Sequence, residues 1–165
     1  MIRRPPRHSS TDALARTALM NSPVTAAEDD PLIEVRIERD QVTLAVQPPI
    51  PNAAMEAMSR AAGFLQLPPG WNSYRAKPIA HENVIAAITF LFEYVESATP
   101  KPDVVPTTKG GVQIEWHING IDLEVLFSST GPEFYGESLN GEPEHYPLRG
   151  HENRLKEWIS WLSER

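Results

Sequence analysis

The chain contains no cysteine, which removes disulfides, thiolate nucleophiles and cysteine-ligated zinc from consideration. It has no apolar run near the ~18 residues that suggest a membrane span, and its head has no continuous apolar segment of the kind a secretory signal carries. Cations are in deficit: 15 Lys and Arg stand against 22 Asp and Glu, for a net charge of -7. Phosphate binding over a broad footprint needs clustered Lys and Arg, so nucleic acid is not the expected partner of the body. No HExxH, GxSxG, P-loop or GxGxxG motif occurs, so no standard catalytic or nucleotide site is announced. The expected compartment is the reducing cytoplasm.

What is present fits one domain and a tail. With 165 residues, 41% hydrophobic and 22% charged, the chain is long enough to bury an ordinary globular core. The charge is uneven. Residues 1–20 carry Arg3, Arg4, Arg7 and Arg16 against Asp12 alone, a net of +3, which leaves -10 for the rest. The head "MIRRPPRHSSTDALARTALMNSPVTA" is Arg-rich and acid-poor, like a transit peptide in composition. It lacks periodicity apart from one short helix candidate at Asp12–Met20, and 1–30 is expected to be a disordered basic tail. The domain is then 31–165.

Strict alternation begins at "LIEVRIERDQVTLAVQ". A turn at Arg39-Asp40 pairs Ile37 with Val42 and Ile33 with Val46, a first hairpin. Prolines end it. Asn52 is placed to cap a helix whose stripe is Met55, Met58, Ala62 and Leu65. A second helix, about Ala80–Glu96, carries Val84, Ile85, Ile88, Leu91, Phe92 and Val95 on one face. Then follow a strand at "DVVPT", a hairpin at 110–127, a further strand at "EFYGES", a loop over "SLNGEPEHYPLRG", and a helix at Asn153–Ser163 with Leu155, Trp158, Ile159 and Leu162 inward. The expected fold class is α+β: a mostly antiparallel sheet built from two hairpins and packed by two to three helices.

The second hairpin is the most sharply specified element. Asn119-Gly120 selects a type I′ turn, because both positions then need positive φ. The register follows: Ile118 faces Ile121, Trp116 faces Leu123, Ile114 faces Val125 and Val112 faces Phe127, all apolar and on one side. On the other side His117 faces Asp122 and Glu115 faces Glu124. A carboxylate pair with one imidazole suits a divalent cation, or an acid and a base with split pKa values. The plainer expectation is a solvated sheet face or a partner-facing patch, because one nitrogen ligand is a thin set for zinc. Glu115, His117, Asp122 and Glu124 are therefore the alternative metal residues, and no cofactor is expected.

Two other places carry interaction chemistry. Trp71, Asn72, Tyr74, Arg75 and Lys77 form a Pro-bounded loop with the aromatic and Arg content of a protein hot spot. Against this, Trp71 and Tyr74 carry enough apolar area to fold back as a lid on the helices. Trp161 sits three residues from Trp158, and an exposed edge there marks a partner surface. The candidate partner-binding residues are thus Trp71, Asn72, Tyr74, Arg75 and Trp161. His81 opens the second helix without a visible partner. His145 and His151, with Glu144 and Tyr146 near by, are expected on the surface.

The segment Trp71, Asn72, Tyr74, Ala76, Pro78, Ile79, followed by Pro102, Val105, Pro106, Thr107, Gly110, Gly111, Val112, Gln113, Ile114, Glu115 and Trp116, resembles a pattern in small uncharacterised bacterial proteins. In these a W-[DN]-x-Y-x-A-x-P-I loop precedes a P-T-x-x-G-G-V-Q-[LI]-E-W hairpin. The resemblance covers about Leu67–Phe127. It implies a bacterial cytoplasmic protein of accessory loci, where toxin partners are common, and carries no catalytic residue with it. The resulting expectation is a non-enzymatic protein-binding module, antitoxin-like or immunity-like, with an acidic body suited to a basic toxin or accessory protein. Nucleic acid is expected to bind weakly at most, through the tail. The alternative is a small metal-dependent enzyme using the polar face of the 112–127 hairpin.

Overall fold

The structure is a computed structural model, which describes the backbone of 33–38 and 41–46 and all of 50–164. The tail at 1–30, the helix at Asp12–Met20 and the turn at Arg39-Asp40 lie outside the described residues. The element order is β1 (Ile33–Glu38), β2 (Gln41–Val46), α1 (Asn52–Gly63) with a 3-10 turn at Phe64–Gln66, α2 (His81–Tyr94), β3 (Asp103–Pro106), β4 (Val112–Ile118), β5 (Ile121–Ser128), β6 (Gly131–Ser138), β7 (Glu144–Pro147) and α3 (Glu152–Ser163). Hairpins and helices mix as an α+β fold. No described helix is long and apolar enough to cross a membrane.

Among the described residues β1 and β2 form a two-stranded sheet, with Ile33 opposite Val46 and Ile37 opposite Val42. The remaining strands form one antiparallel meander in the order β3-β4-β5-β6-β7. At its centre the β4–β5 turn has positive φ at Asn119 (55°) and Gly120 (74°), and every pair from Val112–Phe127 to Ile118–Ile121 is in the register that this turn requires. The inner row Val104, Ile114, Val125, Phe134 is buried and joins the helices in one core. Trp116 belongs to that core at 2% exposure, and its indole Nε1 donates to Pro100 O at 2.8 Å, which satisfies its one polar atom.

Four expectations need correction. Asn52 does not cap α1; Pro51 holds that position in an extended conformation, with no side-chain hydrogen bond. The buried side of α1 is Ala54, Ala57, Met58 and Ala61, while Met55 is exposed, because the helix presents small residues to the core and the larger ones misplace its face. α2 turns Ala87 and Phe90 inward with Val84, Ile88 and Leu91, leaving Ile85 at the surface; it ends at Tyr94, two residues early. The segment Glu144–Pro147, expected as loop, is an edge strand paired with β6. Pro147 is tolerated because it ends an edge strand, where an absent N–H costs no central ladder bond.

Candidate functional site

Ladder pairing places opposed residues on the same side of a sheet. One row therefore runs Asp103, Glu115, Glu124, Tyr135, His145 across all five strands. The row beside it holds His117, Asp122 and Glu137, and the row on the other flank holds Gln113, Leu126 and Glu133. These residues are half-buried or exposed, while the alternate residues of β4 and β5 from Val112 to Phe127 are mostly buried under the helices. The result, among the described residues, is a polar face with six carboxylates (Asp103, Glu115, Asp122, Glu124, Glu133 and Glu137), two histidines and no Lys or Arg. The expectation centred on Glu115, His117, Asp122 and Glu124 captures its middle.

Acidic groups stand directly opposite one another at Asp103–Glu115, Glu115–Glu124 and Asp122–Glu137. Like charges so placed destabilise a sheet unless something compensates. Compensation within the face is local and partial. Gln113 Nε2 donates to Glu115 Oε2 at 2.8 Å. Asp122 accepts the Nδ1–H of His117 at 2.6 Å, and this bond, ahead of the field of Glu115 and Glu124, raises the His117 pKa above the ordinary imidazole value. Tyr135 donates its hydroxyl to Glu137, which raises the phenol pKa. His145 Nε2 lies 3.1 Å from Glu133 Oε2. A cleft of about 170 Å³ opens between Glu124, Glu133, Tyr135 and His145, with Leu126 also lining it.

Glu115, His117 and Glu124 each bring one ligand atom to within 4.8 Å of the others. In the neutral imidazole, an Nδ1–H donated to Asp122 leaves Nε2 as the lone-pair atom, 4.0 Å from Glu115 Oε1. Asp122 is thus placed to orient the imidazole rather than to ligate with it, a role that carboxylates often play behind a metal-bound histidine.

Elsewhere the sequence candidates separate. Glu144 and His145 are adjacent strand residues and point to opposite sides. Glu144 faces α3, where it accepts Arg154 Nε at 2.7 Å, Arg154 Nη2 and Trp158 Nε1 at 3.2 Å. The Arg154 bonds, then the Trp158 bond, lower its carboxyl pKa. His151 stacks on Tyr146 at 4.6 Å. His81 is exposed at the first position of α2. Trp161 is half-buried, edge-on to Trp158 at 4.9 Å, with the Arg154 guanidinium 4.9 Å from its ring centre, so its apolar surface is already partly used.

In the Pro-bounded loop Trp71 is half-buried and donates Nε1 to Lys77 O at 3.3 Å. Asn72 turns its Oδ1 onto the loop backbone. Tyr74 does not fold back as a lid; it stands 83% exposed, with Arg75 beside it in solvent.

The outer members of the acidic face (Asp103, Glu133, Tyr135, Glu137 and His145) lie outside the group that the hairpin pattern marks. Alternation in "EFYGES" was the available signal; the strand at Glu144–Pro147, which completes the face, offered none as strong. No family model, curated protein or solved structure matches the chain.

Proposed function

We propose that the chain is a non-enzymatic binding module that docks a basic surface of another protein onto the open side of its five-stranded sheet. The observation that carries this reading is the composition of that side among the described residues: six carboxylates and no Lys or Arg, on an antiparallel ladder. Opposed carboxylates repel one another in the free protein, and lysines or arginines of a partner relieve that repulsion on contact. The same field accelerates encounter with a cationic surface and disfavours acidic ones. Gln113, Tyr135 and the two histidines add hydrogen-bonding groups between the charges. Such a face suits an antitoxin-like or immunity-like role, in which a basic partner is neutralised by contact.

The test is binding of an oligolysine peptide at low salt. A Glu115→Gln, Glu124→Gln, Glu133→Gln variant is expected to lose most of the affinity. A Glu96→Gln, Glu142→Gln, Glu164→Gln variant, with the same net charge, is expected to keep it. Equal loss in the two variants means that net charge alone binds the peptide, and the reading fails.

A second reading rests on the approach of Glu115, His117 and Glu124 to within 4.8 Å. These residues suit a divalent ion such as Mn or Zn, and the neighbouring cleft gives a small substrate a place to sit beside it. One nitrogen donor is fewer than zinc sites commonly use, which ranks this reading second.

A further inference from the structure

We propose that the Trp71–Lys77 loop, together with Lys109, is a separate binding surface that takes an acidic segment of a protein partner. It is independent of the sheet face and has the opposite charge.

The loop is held by its own backbone and by the β3–β4 turn. Gly70 N donates to Ala76 O at 2.8 Å and Ser73 N to Gly70 O at 2.9 Å. Asn72 Oδ1 accepts both Tyr74 N at 3.0 Å and Ala76 N at 3.3 Å. Ala76 and Ile79 are buried. On the far side Lys77 N donates to Thr108 O and Ala80 N to Gly110 O, each at 3.0 Å, and the buried Asn83 Nδ2 donates to the same Gly110 carbonyl at 2.9 Å. Gly110 lies so close that a Cβ there would stand 2.7 Å from Pro78 O. The turn that carries Lys109 is therefore seated against the loop that carries Arg75 and Lys77.

This frame holds a side chain out rather than in. Ser73 has φ 64°, a conformation unfavourable for a residue with a Cβ, and the residue after it is Tyr74, at 83% exposure. Arg75, Lys77 and Lys109 are exposed as well, and none makes an ion pair or side-chain hydrogen bond among the described residues. A chain of net charge -7 thus carries, on two loops joined through their backbones, one exposed tyrosine and three cations without an ion pair among the described residues. Tyr and Arg are the side chains that contribute most often at protein contacts, and a prelocked backbone lowers the ordering cost of binding. Charge complementarity then fixes the partner's chemistry as acidic. A polynucleotide is disfavoured, because three cations neutralise few phosphates and the chain as a whole carries a net charge of -7.

The experiment titrates the full chain with an oligoglutamate peptide and, in parallel, with a single-stranded DNA oligonucleotide, following backbone amide resonances. The expected result is shifts confined to residues 71–77 and 108–110 with the peptide, and affinity at least about tenfold lower in both Tyr74→Ala and Arg75→Glu/Lys77→Glu. These side chains are exposed, so the melting temperature of each variant should match the parent. An Arg149→Glu/Lys156→Glu variant, altered at exposed cations elsewhere, should bind as the parent does. Equal loss in that control, tighter binding of DNA than of peptide, or no shift in the loop overturns the proposal.

Discussion

Gly136 lies against the indole of Trp158: a Cβ placed on this glycine would stand 2.5 Å from Cε2 of the ring. The bare backbone of β6 is what lets α3 approach the sheet, and Trp158, 2% exposed, fills the space that a side chain at 136 would occupy. The same indole donates to Glu144 on the next strand, so one side chain joins helix, gap and edge strand. Gly136→Ala is expected to force Trp158 from its position at a cost of about 1–3 kcal/mol. A thermal melt of the variant checks this; an unchanged midpoint means α3 does not seat there.

Glu144 is the polar half of that junction, accepting two nitrogens of Arg154 and the Trp158 N–H. Glu144→Gln should destabilise by about 1–2 kcal/mol, since charge-assisted bidentate bonds are replaced by weaker ones. The pH dependence has a definite sign. A carboxyl lowered in the folded state stabilises fully above its unfolded pKa, and that contribution fades as pH falls through the lower folded value. Parent and variant melts should therefore differ at neutral pH and converge in acid.

His117 gives the opposite sign. Its pKa is raised, first by the Asp122 hydrogen bond and then by the surrounding carboxylates. Its contribution to stability is complete below the unfolded imidazole pKa and is lost as pH rises through the raised folded one. Imidazole resonances should show His117 titrating above an ordinary histidine and returning towards the ordinary value in Asp122→Asn. No change in that variant contradicts the pairing.

The hairpin at 110–127 was legible because two kinds of signal agree. Asn119-Gly120 sets the turn, and eight apolar residues then fall on one side of the register. C-terminal Leu155, Trp158, Ile159 and Leu162 were legible for the same reason, as a stripe of large residues at helical spacing. α1 was misread where alanines do the packing, since Ala54, Ala57 and Ala61 leave little trace in a pattern of large residues. β7 was missed because four residues with a terminal proline become a strand through pairing with β6 rather than through propensity. The middle of the acidic face was legible for similar reasons: register within a tight hairpin is local, whereas Asp103 and His145 join the face by pairing between strands that no diagnostic turn connects.

Zn, Mn, Mg or Ca added to chelator-treated protein should leave the melting temperature unchanged under the protein-binding reading. Site binding at a hundredfold excess over the dissociation constant stabilises by about 2.7 kcal/mol. A stabilisation of that order, abolished in Glu115→Gln/His117→Ala, would instead favour the metal-dependent reading.

The central claim is that the carboxylate face of β3–β7 receives cationic protein surface. The most direct measurement maps the backbone amide shifts of the full chain during titration with an oligolysine peptide at low salt. The account predicts the largest shifts at Glu115, His117, Asp122, Glu124, Glu133 and Tyr135, shrinking as salt screens the charges. Shifts spread evenly over all acidic surfaces, or centred on the outer faces of α1 and α2, would contradict it.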